Sequence, residues 1–202
     1  MAYNQQSFDQ KISHGKKYFE GLKSAIDAVD ISALAKTIEM IEQAFLDGKK
    51  IFIAGNGGSA ATASHIASDF QKTTLGKTPQ DKTLLYKFKT ISLSDNIPVM
   101  TAWGNDEGYK YIFSEQLKVL ADSGDLLIVI TGSGNSENIV HLVEEAKKIG
   151  VTTIGFLGFS GGKVKGILDH NVLVASDNYG FIEDIHMIFD HLIVSYFKQN
   201  IE

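Results

Sequence analysis

Downstream of Lys50 the apolar residues fall into short unbroken runs rather than a strict alternation with polar ones. Such runs stand at 50–54, 90–94, 126–131, 152–157 and 171–175. Short runs that are apolar on both faces predict parallel strands covered by helices. Between them, helical spacing recurs over 59–72, 109–121, 136–149, 161–168 and 181–198. Two amphipathic helices come first, over 6–28 and 31–47. In the first, Ile12, Tyr18, Phe19, Leu22 and Ile26 share helical spacing, and Asp30 or Ser32 is a candidate cap for the second. The pattern predicts an α/β fold, a doubly wound five-stranded parallel sheet preceded by a helical hairpin. No linker composition divides the chain, and the prolines are Pro79 and Pro98. One domain is expected, with the hairpin over 1–48 and the α/β core over 49–202. The hairpin has no sheet partner of its own, so it is expected to pack on the core or on another subunit.

The candidate chemistry begins at the strand ends, where ligands of such folds bind. The run Lys50-Ile51-Phe52-Ile53 leads into Ala54-Gly55-Asn56-Gly57-Gly58-Ser59-Ala60-Ala61 and then a helix. Glycines let the backbone approach a ligand, and a helix N-terminus points free N–H groups at it. The plainer reading is a tight turn with Ser59 as helix cap. A G-x-G-x-x-G dinucleotide fingerprint is absent, and no nucleotide cofactor is expected. A second loop, Thr131-Gly132-Ser133-Gly134-Asn135-Ser136, follows the strand at 126–131. Its hydroxyls and amides suit a phosphate monoester, and it lacks the Lys of an NTPase loop. A third cluster, Gly155 to Lys163, reads first as a turn before a short helix. In Asn105-Asp106-Glu107-Gly108, Asp106 reads as the cap of the next helix or Asn105 as a ligand contact.

Titratable residues gather on two helices. His65 and Asp69 are four apart and share one face. They read as a local pair, a metal pair or an acid–base pair. The last helix carries Glu183, Asp184, His186, Asp190 and His191. Its core face is expected at Ile185, Ile188, Phe189 and Leu192. Glu183 then lies nearly opposite, with Met187 and Val194 on an outer side too apolar for plain solvent.

Composition narrows the classes. The net charge of −5 gives no basic footprint for nucleic acid. The chain has no cysteine, which removes disulfides and thiolate metal sites. No apolar run approaches the ~20 residues of a bilayer span, and residues 1–8 lack an apolar signal core. A cytoplasmic protein without a membrane partner is expected.

Taken together, these segments resemble the sugar isomerase (SIS) domain family of the phosphoheptose isomerase type. The resemblance rests on Gly55-Asn56-Gly57-Gly58-Ser59-Ala60-Ala61 with His65, on Gly104-Asn105-Asp106 and on Ser133-Gly134-Asn135-Ser136. Gly161-Gly162-Lys163 and the helix with Ile182, His186 and His191 complete it. It implies a flavodoxin-like sheet, a homotetramer with active sites between subunits, and aldose–ketose isomerisation of sedoheptulose 7-phosphate. It implies zinc, with His65, Asp69, Glu183 and His191 as ligands, Asp69 as base and His191 as acid. It implies substrate contacts from Asn56, Gly57, Ser59, Asn105, Asp106, Thr131, Ser133 and Ser136. Several positions depart from the family: Asp69 replaces Glu, Glu183 replaces Gln, Asn96 and Gly180 each replace Asp, and Thr131-Gly132-Ser133 replaces Ser-Thr-Ser. The alternatives are an isomerase of another phosphosugar, for instance one used in surface polysaccharide, and a non-catalytic phosphosugar-binding or regulatory protein such as a replication-initiator partner.

Overall fold

The computed structural model describes residues 5–74 and 88–200. Pro79 lies outside them. The strands are β1 (Lys50–Gly55), β2 (Lys89–Ser92), β3 (Leu126–Thr131), β4 (Thr152–Gly158) and β5 (His170–Val174). They form one sheet in the order β2-β1-β3-β4-β5, with every pairing parallel. The expected α/β sheet is therefore present, and its order reverses between β1 and β3. That reversal opens a crevice beyond the strand ends where the two first loops emerge.

The helices are α1 (Phe8–Asp27), α2 (Ile31–Leu46), α3 (Gly58–Ser68), α4 (Ile97–Asp106), α5 (Ser114–Leu120), α6 (Glu137–Ile149), α7 (Gly162–Lys165) and α8 (Tyr179–Asn200). Two apolar clusters cover the sheet. One joins α2, α3 and α8 to Ile51, Ile53, Ile128, Ile130 and Phe156. The other joins α5 and α6 to Phe52, Ala54, Leu127, Val129 and Leu157. Alternate residues of β1 and β3 thus feed opposite cores, as the period of a strand requires. This explains why their runs are apolar throughout.

The hairpin splits in its behaviour. α2, capped by Asp30, buries Leu34, Thr37, Ile41 and Ala44. α1, closed by a capping box between Ser7 and Gln10, has no fully buried residue. It rests on the start of α8, where the Tyr18 hydroxyl donates to Asp184 Oδ2 (2.6 Å) and its ring meets Phe181 edge-on. A Cβ on Gly180 would fall 2.8 Å from the Tyr18 hydroxyl, so the missing side chain there makes room for this contact.

Three expectations change. The stretch 59–72 is α3 followed by a π-helical turn, Asp69–Thr73. The stretch 109–121 divides into a 3₁₀ turn, Tyr109–Tyr111, and α5. The helix α4 precedes it, capped by Asn96, with Pro98 in its first turn. Asp106 is consequently the last residue of α4 and not the cap of the next helix.

Candidate active site

The first loop is built for close approach. A Cβ on Gly55 would lie 2.5 Å from the Ser59 carbonyl oxygen, and Gly57 has φ +55°, which glycine adopts freely. The cap residue of α3 is Gly57, so Ser59 sits inside the helix and is not its cap. No side chain caps α3 or α6, whereas Ser7, Asp30 and Asn96 cap α1, α2 and α4. The N-termini of the helices after β1 and β3 therefore keep first-turn N–H groups for a ligand. Asn56, Ser59, Thr131, Gly132, Ser133, Ser136, Tyr179 and Glu183 line a hollow of about 160 Å³ between these loops. A larger hollow of about 700 Å³ lies apart, between α1 and the loops after β4 and β5.

The second loop is held by its neighbour. The Thr131 hydroxyl accepts from the Gly134 N–H (3.2 Å), and Asn135 Oδ1 accepts from the Lys163 N–H (3.1 Å). Gly134 has φ +64°, and a Cβ there would fall 1.9 Å from the Gly161 carbonyl oxygen. The third glycine cluster is thus a buttress, packed backbone to backbone against the phosphate-type loop.

The side-chain chemistry lies farther along α3. His65 Nε2 is 3.3 Å from His191 Nε2, 3.7 Å from Asp69 Oδ2 and 3.8 Å from Asp190 Oδ2. The π turn brings the Thr73 hydroxyl to Asp69 Oδ1 (3.0 Å), which leaves Oδ2 directed at His65. Such turns recur at functional sites because they re-aim a side chain. Asp190 is buried, and neither of its carboxylate oxygens has a hydrogen-bond partner among the described residues. Burial, reinforced by the nearby Asp69 charge, pushes its pKa up to about 7.

These four groups can hold a metal. Their donor atoms lie within 4.8 Å of one another. Tetrahedral zinc with bonds of about 2.0–2.1 Å places neighbouring donors roughly 3.4 Å apart. Two imidazole nitrogens at 3.3 Å need a proton or a cation between them. Two carboxylates beside them, one orphaned and buried, call for positive charge. The donor set fits a divalent ion.

The structure brings together three of the four expected ligands, His65, Asp69 and His191. The fourth, Glu183, is not among the grouped donors. Glu183 lies in the anion hollow, where a Cβ on Gly58 would fall 2.8 Å from its carboxylate oxygens. Within one chain Asp190 completes the cluster in its stead. Asn56, Ser59, Thr131, Ser133 and Ser136 line one hollow, and Gly57 is not among its lining. Asn105 and Asp106 do not reach this hollow. They form the exposed end of α4, with Asn105 Nδ2 donating to Asp106 Oδ1 (2.7 Å).

The face of α8 is also rotated from the expected one. His186 and Asp190 are buried with Ile182, Ile185, Phe189, Ile193 and Val194. Ile188 and Leu192 are 38% and 39% exposed. Burial pulls the His186 pKa down to about 4, which keeps the ring neutral, and its Nε2–H donates to the Leu157 carbonyl (3.2 Å). Hydropathy alone assigns an Asp to the outer face. The signal for Asp190 was its place beside His191, with Phe189 and Ile193 flanking it.

A parallel sheet with a glycine- and hydroxyl-rich loop at the β1/β3 reversal and a His/Asp cluster one helix away defines an α/β protein with a candidate anion site beside a candidate metal cluster. The chain belongs to the SIS domain family, whose pattern it matches across residues 17–158. It is 38% identical over 187 residues to the phosphoheptose isomerase of Clostridium acetobutylicum, covering 88% of this chain and 92% of that one. It is 40% identical over 153 residues to the phosphoheptose isomerase of Nitratiruptor, covering 76% and 78%. Its fold is similar to the phosphoheptose isomerase structures from Francisella tularensis (29% identity, TM-score 0.82) and Neisseria gonorrhoeae (26%, TM-score 0.83). Each covers 96% of this chain and 100% of the other.

Proposed function

We propose that this chain is an aldose–ketose isomerase of the phosphoheptose isomerase type. It interconverts sedoheptulose 7-phosphate and D-glycero-D-manno-heptose 7-phosphate. The carrying observation is the arrangement of two sites on one helix. The N-terminus of α3 opens into the anion hollow, and His65 lies seven residues on, about 10 Å along the axis at 1.5 Å per residue. An extended seven-carbon sugar spans roughly that length from phosphate to carbonyl, judged from C–C bonds of about 1.5 Å.

The N–H groups of the two helix starts, with the Ser59, Ser133 and Ser136 hydroxyls and Thr131 assisting, hold the phosphate end. Asn56 and Gly57 shape the same hollow. Asp69 takes the proton from C1 of the open-chain ketose, and the 2-carbonyl oxygen gains a proton as the enediol forms. His191 returns a proton to C2 while O1 becomes the aldehyde oxygen. The reaction consumes no net proton or electron. Asp190 lies buried beneath the cluster, with its Oδ2 3.8 Å from His65 Nε2. His65, Asp69, Asp190 and His191 would hold a divalent ion such as zinc, which would supply positive charge beside the reacting carbons. Despite the shorter reach of Asp69 relative to Glu, its Oδ2 lies 3.7 Å from His65 Nε2.

Second copies fit the exposed stripe Phe8, Ile12, Phe19 and Ile26 on α1 and the exposed Ile188, Leu192 and Tyr196 on α8. A homotetramer covers these faces and lets a partner's residues complete the site. No described helix is long and apolar enough to cross a membrane, and we assign the reaction to the cytoplasm. One observation favours another phosphosugar, namely the Glu183 carboxylate in the anion hollow. A panel of sugar phosphates decides between the substrates.

The test is Asp69→Ala. Turnover is expected to vanish while sugar-phosphate binding persists. Unchanged turnover removes Asp69 from the chemistry.

A further inference from the structure

Asn56 follows the last residue of β1, and Asn138 stands in the first turn of α6, just past the phosphate-type loop. Their amides pair reciprocally. Asn56 Nδ2 donates to Asn138 Oδ1 (2.9 Å), and Asn138 Nδ2 donates to Asn56 Oδ1 (2.8 Å). The Tyr109 hydroxyl donates to the same Asn56 oxygen (3.0 Å). Both lone pairs of that oxygen are thereby used, and one Asn56 N–H remains. Asn138 is 2% exposed, so its amide is shielded from water and relies on Asn56 for its hydrogen bonds. Tyr109 is reached through Gly108 at φ +113°, a glycine conformation that aims the ring across the loops.

Neither of the helices that follow these two loops has a side-chain cap. Ser94 ties the first loop to the end of β2 by bonds to Gly55, but that contact says nothing about the second loop. The amide pair links the first loop to the second through side chains. We propose that Asn138 and Tyr109 are positioning residues. They lock Asn56 and hold the free N–H groups of α3 at a fixed separation from those of α6, so that both helix starts grip one phosphate. This rests on the phosphosugar reading and assigns Asn56 a bracing task in place of a direct substrate contact by its oxygen.

The experiment measures binding of inorganic phosphate and of sedoheptulose 7-phosphate by calorimetry, together with kcat and KM, in the full-length protein. Asn138→Ala should weaken phosphate about tenfold and raise KM in step, with kcat changed less than about threefold, the loss being one hydrogen-bonded contact. Asn56→Ala should match it, and the double variant should be no worse than either, since the residues act as a unit. Tyr109→Phe, at an exposed position, should weaken phosphate about threefold. If Asn138→Ala fails to fold, Asn138→Asp replaces it: a carboxylate accepts the Asn56 N–H but donates nothing back, so phosphate loss should exceed tenfold. Phosphate binding by the wild type with an unchanged Asn138 variant overturns the brace alone, as do penalties that multiply in the double variant. Absence of phosphate and sugar-phosphate binding by the wild type overturns the phosphosugar reading together with the brace.

Discussion

Asp190→Asn is the sharpest probe of the side-chain cluster. In the metal-free protein the buried carboxyl is held protonated up to about pH 7, against about 3.8 in the unfolded chain. A raised folded pKa means that the folded state binds the extra proton between these values. Stability is therefore full below about pH 4 and falls as the pH rises through 7. The gap of about three units corresponds to about 4 kcal/mol at full ionisation. Asparagine keeps the shape and carries no charge, so this slope disappears. Its own buried amide costs about 1–3 kcal/mol. The variant should thus be less stable than the wild type at pH 4 and equal or more stable at pH 8. Urea unfolding with chelator across pH 4–8 reads both. Adding zinc at pH 7.5 should raise the wild-type midpoint strongly and the variant's little, because a neutral amide is a poor zinc ligand. Parallel pH profiles with equal zinc stabilisation would refute the placement of Asp190 in the cluster.

Other changes probe the surrounding frame. Gly134→Ala sets a Cβ against the Gly161 carbonyl at positive φ and should cost about 3 kcal/mol, from left-handed strain plus overpacking, with loss of phosphate binding; an unchanged urea midpoint contradicts the buttress. His186 is held neutral, its folded pKa about 4 against 6.5 unfolded. Stability linked to it is present above pH 6.5 and is lost as the pH falls through 4, by about 3 kcal/mol in total. His186→Gln should lack that component, and identical acid unfolding of the two proteins argues against it. Thr73→Val frees Asp69 Oδ1 and should lower kcat about tenfold with the fold intact, in line with the cost of slight misplacement; wild-type kcat would show that the π turn does not aim Asp69.

The fold was legible where burial was simple. β1 and β3 read clearly because each feeds both cores, so their apolar runs are unbroken. α4 was missed because it has no fully buried residue and hence no apolar period. Its start was nevertheless written in Asn96 and Pro98, a cap followed by a first-turn proline. The anion loops were readable from glycine and hydroxyl spacing. The His/Asp cluster was half readable. His65 and Asp69 are neighbours by helical spacing, whereas Asp190 reaches them only through tertiary packing of α8 on α3. A buried carboxylate violates the hydropathy pattern that places a helix face, so hydropathy turns Ile188 and Leu192 inward although both are exposed. Resemblance places Glu183 in the cluster, whereas the absence of a side chain at Gly58 leaves room for its carboxylate there.

The most direct measurement is proton exchange during turnover. Purified protein is incubated with sedoheptulose 7-phosphate in D₂O, with and without zinc, and followed by NMR. The account predicts formation of the heptose 7-phosphate with deuterium at C2, lost in Asp69→Ala. Intact sedoheptulose 7-phosphate with no deuterium incorporation, in a protein that still binds it, would contradict the isomerase reading.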